Sequence, residues 1–181
     1  MRFLFPLFLT IVVCAGSSFA QLAPKEDPKI NLMQDSTGKK LKMDFSMSLI
    51  GISDPGMLFS HFSERPLLIF YFSPKCPHCQ EKFPMIQSLI KEYEPKGLTG
   101  IGIAIGGTIK KNDVRLFMDQ LNATIPIFQD VNSKFGPTYG TGYVPVVFLV
   151  NSDGSFYRYG ELTPASINHL KATLDGLFKK K

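Results

Sequence analysis

Six consecutive apolar residues, Leu67 to Phe72, run into the turn Ser73-Pro74-Lys75 and then into Cys76-Pro77-His78-Cys79, after which Phe83, Ile86, Leu89, Ile90 and Tyr93 recur at helical spacing. A short unbroken apolar run suits a strand buried on both faces, and the period that follows is one face of a helix. Pro77 fits a first helical position, where its missing N–H would have had no partner. The cysteines therefore fall on a strand-to-helix junction, with Cys76 at the N-cap and Cys79 one turn inside.

Strands and helices alternate through the rest of the chain. Leu98 to Ile105 reads as a second strand, and Asp113 as the cap of a helix whose apolar face includes Val114, Phe117, Met118 and Leu121. Ile125 to Phe128 reads as a short strand, followed by an irregular glycine-rich passage, Gly136 to Gly142. Val146 to Val150 is a buried strand turned by Ser152-Asp153-Gly154 onto Phe156 to Tyr159. Thr163 and Pro164 open a last helix with Ile167, Leu170, Leu174 and Leu177 on one face. Upstream, Asp35-Ser36-Thr37-Gly38 separates Ile30–Met33 from Leu41–Phe45, the pattern of a small hairpin, and Met57, Leu58, Phe59 and Phe62 suggest a short helix ending before Pro66. The expectation is an α/β fold, a mixed central sheet with helices on both faces.

At the N-terminus, Arg2 precedes the apolar run Phe3–Ala15 and the pattern Ser18-x-Ala20, which together read as a secretory signal peptide over residues 1–20. The run is shorter than the roughly 20 residues a membrane-spanning helix needs, so no membrane association is expected. Cys14 follows Val13, where a lipid-attachment site wants a small residue, and is not read as an anchor. Residues 21–181 form a single expected domain, with its core at about 66–178. Of the formal charge of +5, Arg2, Lys179, Lys180 and Lys181 account for four, so the folded body is near neutral and offers no face for nucleic acid.

Removing residues 1–20 reduces three cysteines to two, Cys76 and Cys79. A disulfide between them closes a very short loop and is a weak staple, so the placement points to chemistry. A thiol reacts as its thiolate, and at an N-cap Cys76 meets unpaired backbone N–H groups and the positive end of the helix dipole. Lys75 and His78 add positive charge or hydrogen-bond donation nearby. Cys76 is the candidate nucleophile and Cys79 the candidate resolving thiol, which would release a mixed disulfide by closing Cys76–Cys79. Stabilising the Cys76 thiolate stabilises the reduced form and makes the couple more oxidising.

Phe72-Ser-Pro-Lys-Cys76-Pro77-His78-Cys79, Pro84, and Val144-Pro145 ahead of a buried strand resemble the thioredoxin superfamily. The resemblance implies a cis proline at Pro145, lying against the dithiol and holding the substrate chain with Val144. The long interval from Cys76 to Pro145 is similar to the TlpA/ResA branch, with an inserted strand and helix and an N-terminal hairpin extension. So are Asp35-Ser-Thr-Gly-Lys39, Ile125-Pro-Ile-Phe-Gln-Asp130 and Val144 to Gly154. The tetrad itself resembles that of DsbA, an oxidant. The resemblance implies an exported, periplasmic thiol-disulfide oxidoreductase with no cofactor. Its partners would be cysteine-containing exported proteins and a membrane or periplasmic redox partner. The scaffold implies a reductant serving cytochrome c or metal-centre maturation; the tetrad implies an oxidant or isomerase. Many members carry an acid where this chain has Phe70, and Glu81 is the nearby substitute.

Two other readings use the same cysteines. A peroxiredoxin-like thiol peroxidase would want Thr three residues before the reactive cysteine, where Ser73 stands. A copper chaperone would add a histidine to the two soft ligands, and His61 and His169 are the remote candidates for completing a metal site. Gly100-Ile101-Gly102 with Gly106 and Gly107 lacks the third glycine and following helix of a dinucleotide loop, and reads as a strand end.

Overall fold

The computed structural model describes residues 30–139 and 142–179. The expectations for residues 1–29, the signal peptide and Cys14 among them, and for Lys180 and Lys181 lie outside the described residues. Among the described residues, seven strands and four α-helices follow in the order β1 (Ile30–Leu32), β2 (Ile50–Gly51), β3 (Leu67–Phe72), α1 (Pro77–Tyr93), β4 (Thr99–Ala104), α2 (Lys111–Gln120), β5 (Ile127–Gln129), α3 (Phe135–Thr138), β6 (Val146–Val150), β7 (Phe156–Tyr159) and α4 (Pro164–Phe178). The strands form one sheet in the order β1-β7-β6-β3-β4-β5-β2. β3, β4 and β5 are parallel, and β6, β7, β1 and β2 join antiparallel. The mixed sheet expected from the alternation is thus present.

Strand β3 sits between β4 and β6, and all six of its residues are buried. Its alternate side chains feed two separate cores. Leu68, Phe70 and Phe72 join α1, α2 and α4 residues on one face, including Phe83, Ile86, Val114, Phe117, Leu170 and Leu174. The links β3-α1-β4 and β4-α2-β5 both cross over between parallel neighbours in the same direction, so one handedness puts both helices on one face. Leu67, Ile69 and Tyr71 face the other way, onto Phe59, Phe62, Phe135, Tyr139, Phe148 and Phe156. Among the described residues, that face is covered mainly by a 3-10 turn at Phe59–Phe62, the single turn of α3 and the 43–49 segment. Helical elements thus lie on both faces, but all three long helices share one.

Several boundaries differ from the sequence expectation. The Asp35 turn forms, with Asp35 Oδ1 accepting from the Thr37 and Lys39 N–H groups at 2.8 and 3.0 Å, but the strand before it ladders onto β7, leaving one bridge, Gln34 to Lys40, within the hairpin. The helix cap expected at Asp113 is corrected: α2 begins at Lys111 with Lys110 at the N-cap, and Asp113 lies in the first turn, its Oδ2 accepting the Lys110 N–H at 2.8 Å. The strand expected at Ile125–Phe128 is displaced to Ile127–Gln129, and part of the glycine-rich passage is α3. Asp130 makes α3 possible: its buried carboxylate accepts the N–H groups of Lys134 and Phe135 at 3.0 and 2.8 Å. At α4, Thr163 Oγ1 accepts the Ser166 N–H at 3.2 Å, as the Thr163-Pro164 signal predicts.

Gly100 is glycine for a packing reason. A Cβ there would run into the Ile90 side chain of α1, so the glycine lets the helix lie close on β4. A Cβ at Gly106 would collide with the Asp130 carbonyl.

Candidate active site

The site lies at the C-terminal ends of the parallel strands, where open α/β sheets place their ligands. From β3 the chain turns through Ser73 to Lys75, with the Cys76 N–H bonded to the Ser73 carbonyl at 3.1 Å. Gln80 reaches back from α1, its Nε2 donating to the Pro74 carbonyl at 2.8 Å, and so clamps the turn onto the helix. Cys76 occupies the N-cap with extended backbone (φ −89°, ψ 117°), and Pro77 is the first helical residue. Both cysteines are free thiols.

The two sulfurs lie in different surroundings. Cys76 is half-buried, its Sγ 4.0 Å from the Val144 carbonyl oxygen. The Val144–Pro145 bond is cis, as the family resemblance implies, and the loop before β6 lies against the first cysteine. Tyr143 stands next to it, 54% exposed, with its hydroxyl packed over Gly160, where a Cβ would not fit.

Cys79 is wholly buried in the core that holds Phe70, Phe72 and Phe83. Burial pushes its thiol up to about 12, with a further raising contribution from the neighbouring Cys76 thiol. Phe70 stacks on Phe72 at 5.5 Å and lies 5.8 Å from Phe83, so hydrocarbon fills the position where the family resemblance implies an acid. Glu81 does not replace it. Its carboxylate is 61% exposed and engages Lys82 Nζ at 2.8 Å and His78 Nδ1 at 3.6 Å on the solvent side.

Each cation expected beside Cys76 is shared with a carboxylate. Lys75 Nζ lies 3.2 Å from Asp113 Oδ2, and the 80% exposed His78 is paired with Glu81. Sequence reasoning placed Asp113 near the start of α2 but missed its link to the dithiol loop; nothing local to either residue signals it. The remote histidines are not brought to the cysteines. His61 lies in the 3-10 turn, whose Phe59 and Phe62 pack on the opposite face, and His169 Nδ1 lies 3.2 Å from the Tyr159 hydroxyl. Among the described residues, no group of three or more His, Cys, Asp and Glu side chains is arranged to hold a metal ion. No described helix is long and apolar enough to cross a membrane.

Residues 56–157, which carry the whole dithiol loop, α2 and the Val144–Pro145 turn, match the model of the AhpC/TSA family. The thiol-disulfide oxidoreductase ResA of Oceanobacillus iheyensis is 23% identical over 158 residues, covering 84% of this chain and 78% of that protein. ResA of Bacillus thuringiensis is 30% identical over 118 residues, covering 64% of this chain and 63% of that one. Among solved structures, a putative thiol:disulfide interchange protein DsbE from Chlorobium tepidum superposes with a TM-score of 0.66 at 19% identity, covering 77% of this chain and 99% of that chain. A secreted Mycobacterium tuberculosis disulfide oxidoreductase, described as homologous to Escherichia coli DsbE, gives 0.62 at 17% identity, covering 74% and 97%. These likenesses show the thioredoxin-like fold.

Proposed function

The chain belongs to the AhpC/TSA family, and from that premise we propose that it is a thiol-disulfide oxidoreductase of the TlpA/ResA kind, exchanging disulfides with protein cysteines through Cys76 and Cys79. One observation carries the reading: two free thiols a single helical turn apart, one at a half-buried N-cap facing Val144 and the cis Pro145, the other buried among phenylalanines.

In the reducing direction, the Cys76 thiolate attacks one sulfur of a substrate disulfide. The Cys76–substrate bond forms, the substrate S–S bond breaks, and the other substrate sulfur leaves as a thiolate that takes up a proton. Cys79 then gives up its proton and attacks the Cys76 sulfur, so that the Cys76–Cys79 bond forms and the second substrate thiolate leaves. The substrate gains two electrons and the dithiol loses two; a redox partner returns them. Val144 and Pro145 form the substrate-facing wall, while Pro77 starts the helix whose N-terminus favours the thiolate, with Lys75 and His78 as supporting residues.

The finer reading adds export, with residues 1–20 as the signal peptide, residues 21–181 as one domain and a periplasmic location. Its support is the Arg2 and Ser18-x-Ala20 pattern and the secreted relative. Substrates are cysteine-containing exported proteins, and the scaffold favours a reductant's role in cytochrome c or metal-centre maturation. Insulin reduction by the chain and its Cys76→Ser and Cys79→Ser variants tests the site. Cys76→Ser is expected to abolish turnover, and Cys79→Ser to accumulate mixed disulfides. Undiminished turnover by Cys76→Ser overturns the proposal.

A further inference from the structure

Lys75 immediately precedes the attacking cysteine, yet its ammonium is held by another element. Asp113 belongs to the first turn of α2, and its Oδ2 both accepts the Lys110 N–H at 2.8 Å and lies 3.2 Å from Lys75 Nζ. The helix thus fixes the carboxylate, and the carboxylate fixes the lysine. The Asp113 side chain is 24% exposed, Lys75 60%, so the acid is the better-anchored partner. The other basic groups on this end of α1, His78 and Lys82, both lie against Glu81. Lys110 and Lys111 stand at the start of α2.

We propose that Asp113 is a positioning residue for the dithiol: by holding the Lys75 ammonium on α2, it keeps the Cys76–Cys79 couple more reducing than the Cys-Pro-His-Cys sequence alone would make it. The inference rests on the function proposed above and supplies a reason for its direction. A cation beside Cys76 stabilises the thiolate, which exists only in the reduced form, and so makes the couple more oxidising. A carboxylate that neutralises and tethers that cation works the other way. The pair is exposed, so the effect is small.

The test is the equilibrium of the full-length chain with glutathione, in which the protein disulfide and two glutathione thiols give the protein dithiol and one glutathione disulfide. In Asp113→Asn, whose side-chain oxygen still accepts the Lys110 N–H, the constant is expected to rise about threefold, or about 14 mV for a two-electron couple. The Cys76 thiol, followed by its alkylation rate against pH, is expected to ionise at lower pH. In a Lys75→Gln background the same Asp113→Asn change should have less than half this effect, because its mediator is gone. Asp113→Ser keeps an acceptor at the helix start and replaces Asp113→Asn if that variant does not fold. An unchanged constant, or an equal shift with and without Lys75, overturns the inference. A parent chain that does not exchange with glutathione at all overturns the functional reading as well, whereas exchange with no shift in the variant overturns only the role of Asp113.

Discussion

The two sides of the first turn of α1 are three residues apart in sequence and differ in nearly every physical respect. The outer side carries Cys76, His78 and Glu81, with Lys75 just before the helix, all within reach of water and of each other's charges. The inner side carries Cys79, wholly buried beside Phe70, Phe72 and Phe83. The outer thiol can present an anion to a substrate. The inner one stays protonated until the mixed disulfide brings its reaction partner to it. Helical spacing alone puts residues three apart on one face; the difference arises because Cys76, at the N-cap, has extended backbone, whereas Cys79 lies inside the helix on the face that the sheet keeps dry.

Removing the packing that separates the two sides should have the largest effect. Phe83 is fully buried and packs against Phe70, Phe72 and Phe117, the last at 5.0 Å. Phe83→Ala is expected to cost about 3–5 kcal/mol in denaturant unfolding.

Solution pH sharpens the contrast without a mutation. With the Cys79 thiol pushed up to about 12, its thiolate is a very small fraction near neutral pH that grows tenfold with each pH unit. Release of a thionitrobenzoate group preloaded on Cys76 should therefore accelerate close to tenfold per pH unit between about pH 7 and 9. A rate flat across that range would show that a group other than solvent hydroxide takes the proton.

The same burial has a stability consequence. Cys79, Tyr71 and Tyr159 are all raised to about 12 in the folded chain, above their ordinary values of 9.0 and 10.0. The folded state then holds protons that the unfolded state releases, so its stability is full below about pH 9 and falls as pH rises towards 12. Chemical denaturation at pH 8, 10 and 11 should show this decline. The disulfide form, lacking the Cys79 proton, should decline less than the dithiol.

The smallest expected effect is on the wet side. Glu81→Gln frees His78 and Lys82 from a carboxylate that is itself 61% exposed. The glutathione equilibrium should move towards the dithiol by less than about twofold, because water and salt screen such pairs.

The two faces of the sheet were unequally legible in the sequence. The long-helix face announces itself through the Phe83 to Tyr93 and Leu170 to Leu174 periods, and α1 begins where Pro77 says it must. The opposite face is assembled from elements too short to show a period: the irregular 43–49 segment, four residues of the 3-10 turn and four of α3. Its aromatic core joins Phe59, Tyr71, Phe135, Tyr139, Phe148 and Phe156 from distant parts of the chain. The Asp113 misreading has a similar cause. An acid at either the N-cap or the first turn suits a helix start, and only the backbone shows which position it takes.

The sequence by itself determined the buried β3, the start of α1 and hence a dithiol at a helix N-terminus. These depend on local chemistry: an apolar run, a proline with no N–H to waste, and a period of side chains that must leave water. Tertiary structure alone decided what each thiol meets. Whether Cys79 lies in hydrocarbon or beside an acid depends on what β3 places beneath it, and whether Lys75 faces the sulfur or Asp113 depends on where α2 docks. The Lys75–Asp113 contact joins residues far apart in the chain, and Phe70, Phe72 and Phe83, though close to Cys79 in sequence, surround it only once α1 docks on β3.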